Sequence, residues 1–167
     1  MKRPQQFGEN VERAVALSAD QHVANLMFIA NRYLESRVMT AISNAGHTDL
    51  TLAAARIMAR VQQDGTRLTD LAVAAQVTKQ TASVAVDKLV AQGYLDRAPD
   101  PQDARAKLIV LSHRALKVLV IARDTEQRVN QEWTELLGED RMRDLRETLS
   151  LLRLATDPFM DYDDAAS

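Results

Sequence analysis

At 167 residues, with 46% hydrophobic and 26% charged side chains, the chain suffices for one compact domain or two small lobes and reads as a soluble globular protein. A net charge of −2 is too near neutral for a generic polyanion binder. The absence of cysteine excludes disulfides, thiolate catalysis, thiolate metal sites and cysteine-based peroxide sensing.

The first stretch, "MKRPQQFGENVERAVALSAD", has early basic residues but no apolar run behind them, so it is no signal peptide. No apolar run is long enough to span a membrane, and a cytoplasmic protein is expected. Residues 1–17 read as a loosely ordered or partly helical arm. Ser18 and Gln21 have capping-box spacing, which predicts a long helix over about residues 19–44 with Leu26, Ile29, Tyr33, Val38 and Ile42 on its apolar stripe. Asn44 and Gly46 end it. "HTDLTLAAARIMARVQQDG" is a second helix, capped by Asp49 or Thr51 and stopped at Gly65. Leu68 either starts a short strand or enters the next helix, "TDLAVAAQ", which Thr69 caps. A tight turn from Gln76 to Thr78 follows, which tolerates Gln76 if its φ is negative.

"VTKQTASVAVDKL" is an amphipathic helix that Thr78 caps and that ends at Gly93. Ala82, Ala85, Val86 and Leu89 share its inner side. Gln80, Ser83, Val84, Asp87 and Lys88 share the outer side, flanked by Lys79 and Thr81. Ordinary solvated faces carry longer Glu, Lys and Arg chains; this one is dense in short hydrogen-bonding groups and suits close approach to another surface. Next, "YLDRAPDPQDARAKLIVLS" alternates around Leu95 to Arg97 and Lys107 to Leu111, giving two short strands about a loop from Ala98 to Ala106 that Pro99 and Pro101 stiffen. A long helix over about residues 113–137 carries Leu116, Leu119, Val120, Val129, Trp133 and Leu136 on its apolar side until Gly138 breaks it. A last helix over about residues 140–155 aligns Leu145, Leu149 and Leu152. The acidic tail "DPFMDYDDAAS" reads as frayed.

Two short helices joined by a tight turn, followed by a two-stranded hairpin, make a winged helix-turn-helix, whose second helix enters the major groove of duplex DNA while the hairpin reaches the minor groove. The fold class is mainly α: a winged helix-turn-helix lobe over residues 49–112, with long helices over 1–48 and 113–167 forming a dimerisation region. Charge permits this: residues 65–115 carry 7 basic and 5 acidic side chains, whereas residues 116–167 carry 7 basic and 12 acidic. Thr78, Lys79, Gln80, Thr81, Ser83 and Lys88 have the donors and acceptors for base edges and phosphates, and Val84 has methyl groups suited to a thymine methyl. Arg97 and Lys107 on the strands supply further cations. Asp87 repels phosphate, and pairing with a nearby basic chain accounts for it best.

"TDLAVAAQVTKQTASVAVDKLVAQGYLDR" and the wing "DPQDARAKLIVLS" together resemble the multiple-antibiotic-resistance regulator (MarR) family, over about residues 20–155. The resemblance implies a homodimer with interlocked terminal helices. It also implies a sequence-specific, double-stranded-DNA-binding transcriptional regulator, most often a repressor released by a small molecule. By the same analogy Arg105 inserts into the minor groove and Asp103 braces it. Val84 stands where the family often has Arg or another polar residue. Tyr33, Arg37 and Arg56 are candidates for an effector pocket between the terminal helices and the DNA lobe, against ordinary packing and surface charge. Trp133 fits a core or interface anchor better than a ligand platform.

His22, His47 and His113 lie far apart, with no metal-ligand spacing, so no metal and no cofactor are expected. No nucleophile triad, glycine-rich phosphate loop or paired-histidine motif occurs, so an enzyme is not expected. The alternative function is a helical winged dimer that binds a protein partner rather than DNA.

Overall fold

The structure is a computed structural model that describes residues 21–156 together with Val15. The N-terminal arm, the Ser18 cap position and the acidic tail lie outside the described residues. Helix α1 spans Val23–Asn44. Residues 21 and 22 precede it, and His22 occupies the N-cap without a side-chain bond, so the helix starts later than the capping-box spacing predicts. Helix α2 spans Leu52–Met58, and its cap is Thr51, whose hydroxyl accepts from Ala54 N at 3.3 Å. It stops well short of Gly65. The chain leaves it through turns in which Arg60 N donates to Ile57 O and Val61 N to Met58 O, both at 3.1 Å, and these bury Val61.

Strand β1 is Thr66–Arg67 and runs directly into α3, Leu68–Ala74. The N-cap of α3 is Arg67, not Thr69, because the strand delivers the chain to the helix two residues earlier. The α3–α4 turn holds Gln76 at φ +52°, a left-handed value, so the condition of a negative φ is not met. Helix α4 is Lys79–Ala91, with Thr78 accepting from Thr81 N at 3.1 Å as its spacing predicts.

The wing departs most from expectation. Strand β2 is Leu95–Asp100 and β3 is Asp103–Leu111, so Pro101 and Gln102 alone connect them in place of a loop over residues 98–106. Pro99 lies inside β2, opposite Lys107. The three-stranded antiparallel sheet has the order β1-β3-β2, which puts β2 at an edge. A proline is tolerated there because its missing N–H faces away from the ladder.

Helix α5 is His113–Leu137, with Ser112 as its cap and Gly138 at φ +87° ending it. Helix α6 is Glu139–Thr156. The core gathers Ile57 and Met58 of α2 with Leu71, Val86, Leu89, Tyr94, Leu95 and Ile109, all of the winged lobe, against Ile42 of α1 and Ala115 and Val118 of α5. Burying these side chains at roughly 2 kcal/mol each is what holds the lobe to the long helices. The fold is the expected one, a mainly helical winged helix-turn-helix with a small antiparallel wing. Three positions expected on the apolar side of α5, Leu116, Val120 and Leu136, are exposed in the single chain. So are Leu26, Phe28 and Ile29 of α1 and Leu145, Leu149 and Leu152 of α6.

Candidate nucleic-acid interface

Helix α4 divides as its sequence predicts. Ala82, Val86 and Leu89 are fully buried, whereas Val84 is 64% exposed. Lys79, Gln80, Thr81, Asp87 and Lys88 are exposed and Ser83 is half-buried. Among the described residues, the side chains of Lys79, Gln80 and Lys88 carry no hydrogen bond or ion pair and remain free to meet a ligand. Thr81 shares a 2.8 Å hydroxyl–hydroxyl bond with Thr78, which fixes both side chains over the first turn. The free N–H groups of that turn add positive potential where an anion would approach.

Asp87 is paired, as expected of an acid on such a face: Arg97 Nη2 of β2 donates to its Oδ1 at 2.5 Å. Arg97 thereby ties α4 to the wing through Asp87. At the wing, Asp103 Oδ1 accepts the backbone N–H of Arg105 at 2.9 Å, so the aspartate braces the backbone of Arg105 and leaves its guanidinium exposed, with no partner among the described residues. Lys107 is exposed on β3.

Sequence reasoning missed what anchors the wing. Asp100 is buried, 5% exposed, and its Oδ2 accepts from Arg67 Nε at 2.7 Å and Nη2 at 2.6 Å. Its Oδ1 accepts Gln102 N at 2.8 Å across the two-residue turn. The Gln102 amide, then the Arg67 guanidinium, hold the Asp100 carboxyl below the usual carboxylate range, and Asp100 in turn raises Arg67. The Asp-Pro dipeptide was the available signal, since an aspartate often accepts a backbone N–H two residues on.

Of the three candidate effector residues, Tyr33 and Arg37 are brought together and Arg56 stands apart from them. Arg37 makes a bidentate pair with Glu132 of α5 at 2.9 Å and also donates to the Tyr33 hydroxyl at 2.7 Å. The Tyr33 ring tilts against Trp133 at 6.4 Å, so the half-buried Trp133 belongs to the α1–α5 contact. Arg56 pairs instead with Glu35 at 2.6 Å. A cavity of about 220 Å³ lies between α1, α2 and α5, walled by Val38, Met39, Ile42, Met58, Val118 and Leu119, with Glu35, Arg56 and Glu126 also lining it. Of the three, Arg56 lines this space and Tyr33 and Arg37 do not. No group of three or more His, Asp or Glu placed to hold a metal occurs among the described residues. No helix among them is long and apolar enough to cross a membrane.

The sequence profile of the MarR family matches residues 48–106, the stretch from the α1–α2 connector through the wing tip. No curated protein matches the chain. Among solved structures, RV1404 from Mycobacterium tuberculosis is similar at a TM-score of 0.67 and 20% identity, over 80% of this chain and 90% of that one. MarR from E. coli, in its wild-type apo form, aligns at 0.62 and 20% identity, over 78% and 96%. A mutant of MepR from S. aureus bound to an oligodeoxyribonucleotide aligns at 0.55 and 20% identity, over 81% and 99%. MepR is also known bound to ethidium bromide. Residues 48–106 thus match the profile of the MarR family, and the chain shares the fold of these three proteins.

Proposed function

We propose that the protein is a sequence-specific transcriptional regulator that binds double-stranded DNA as a homodimer and is released from it by a small molecule. The observation that carries this is the outer face of α4. It presents short polar groups, exposed cations and one exposed valine beside an exposed Arg105 on the wing. In this reading α4 enters the major groove, Thr78, Lys79, Gln80, Thr81, Ser83 and Lys88 meet bases and phosphates, and Val84 meets a thymine methyl. Arg105 and Lys107 of the wing follow the backbone into the adjacent minor groove, with Asp103 holding the Arg105 backbone in place. Arg97 acts indirectly, by fixing the wing to α4 through Asp87. The oligodeoxyribonucleotide held by MepR on the same fold supports the reading.

Residues 1–48 and 113–167 form the dimerisation region and residues 49–112 the DNA-binding lobe. The exposed apolar side chains of α1, α5 and α6 support a second copy covering them, since monomers rarely leave such a surface open. A small-molecule effector fits the apolar cavity between α1, α2 and α5, where Arg56 and Glu35 offer an opening ion pair. The mode of action is repression relieved when a ligand favours a dimer geometry that no longer matches the operator. A cytoplasmic location follows from the DNA reading.

The testing experiment is selection of duplexes from a random pool. A two-fold, pseudo-palindromic consensus with half-sites about one helical turn apart, roughly 10 bp, is expected. A pool that stays random after repeated rounds rules the reading out.

A further inference from the structure

The C-terminal end of α4 is tied down at three successive carbonyls. Arg114 Nη1 donates to Gln92 O, Ser112 Oγ to Gly93 O at 2.7 Å, and Ser112 N to Tyr94 O at 3.0 Å. All three donors belong to the first turn of α5 or its cap. Arg114 also reaches back to the connector between α1 and α2, where Nη2 donates to Asp49 Oδ1 at 2.9 Å. The Tyr94 hydroxyl donates to that same oxygen at 2.8 Å. The one hydroxyl proton is used there, so His47 Nδ1, 3.1 Å from the Tyr94 oxygen, is the donor in that contact. The Arg114 guanidinium lies 4.1 Å from the centre of the Tyr94 ring. Burial and the Asp49 bond push the Tyr94 hydroxyl up to about 12, while the Tyr94 bond holds Asp49 below the usual carboxylate range. The N-terminal half of α4, by contrast, is held by its own cap and by packing of Ala82 and Val86.

Resting on the reading of α4 as the helix that enters DNA, we propose that Arg114, with Asp49 and Tyr94, forms the joint that fixes α4 to α1 and α5 and thereby sets which half-site spacing the dimer accepts. Arg114 is a positioning residue that acts through the end of α4 remote from the groove. Geometry gives the joint leverage. Helix α4 has 13 residues and is about 20 Å long. A change of about 10° at its C-terminal end moves its N-terminal end by about 3.4 Å, the rise of one base pair. A joint held by one aspartate oxygen and three carbonyls therefore decides between neighbouring spacings.

The absence of native cysteine makes a direct test clean. Gln80→Cys on α4 and Gln127→Cys on α5, both exposed, carry spin labels in the full chain, diluted with unlabelled chain so that distances within one protomer dominate. Pulsed EPR should give a single narrow distance. Arg114→Ala and Asp49→Asn should broaden it, and so should Tyr94→Phe, which keeps the buried ring and removes only the hydroxyl. Arg114→Lys, which keeps the charge but not both bonds, should fall between. On duplexes with half-sites spaced about 9, 10 and 11 bp apart, the variants should lose about tenfold on the preferred spacing and little on its neighbours. Variants that lower the melting temperature but leave the distance distribution and the ranking of spacings unchanged overturn the joint. Should the parent chain rank no DNA at all, the DNA reading falls, and the distance distributions alone decide whether the joint exists.

Discussion

Arg105 is the residue on which the wing's role turns. Its backbone is braced by Asp103 and its guanidinium is exposed, with no partner among the described residues, so its charge is available for phosphate. Arg105→Ala is expected to weaken DNA binding on every sequence. It should also reduce the slope of log affinity against log salt by about one, which titrations at several salt concentrations will measure. Val84→Ala should behave differently, costing about 1 kcal/mol at one thymine pair and little elsewhere; an equal loss on all duplexes would assign Val84 to packing instead. Asp100 makes the wing acid-sensitive. Its folded pKa is lowered, so its contribution to stability is present above the ordinary aspartate value of about 3.9 and is lost as pH falls through the folded value. Denaturant midpoints followed between about pH 6 and 3 should fall less steeply in Asp100→Asn than in the parent. Identical curves would mean that the Arg67 contact does not depend on the aspartate charge.

Among the elements, those set by local signals were legible in the sequence. Thr78 caps α4, and α5 begins at His113 and ends before Gly138, as read from cap and glycine. The inner and outer faces of α4 also follow from its own spacing, which is why most of the candidate interface could be named without coordinates. The wing loop was not legible, because whether Pro99 ends a strand depends on whether that strand is an edge, a fact of sheet order rather than of neighbouring residues. Arg67 and Asp100 are 33 positions apart, and Asp49 and Arg114 are 65 apart; no local pattern announces such pairs. Gly65 was read as a helix stop, but its work is steric. At φ +89° an added Cβ would meet Val110 Cγ1 at 2.9 Å and Leu108 Cβ at 3.0 Å. Gly65→Ala should therefore destabilise the lobe by more than about 1 kcal/mol in denaturant unfolding. Gln76 offers the opposite case, a non-glycine at φ +52°. Gln76→Gly should stabilise by about 0.5 kcal/mol, the relief of left-handed strain exceeding the entropy that glycine loses on folding. A loss of stability there would show that the glutamine side chain makes up for its backbone.

At the scale of the whole molecule, the winged lobe shares one core with α1 and α5, so movements of the long helices and of α4 are mechanically linked. The exposed apolar side chains of α1, α5 and α6 are what the proposed second copy would cover, and in that proposal two copies of α4 related by a two-fold axis read a two-fold site. That is the central claim, and one measurement tests it most directly. The selected consensus duplex and a scrambled duplex of equal length and composition would be compared by fluorescence anisotropy at two salt concentrations. The account predicts two chains per duplex, binding to the consensus at least about a thousandfold tighter than to the scrambled duplex, and affinity for both that falls as salt rises. Equal affinity for the two duplexes at both salt concentrations would contradict it.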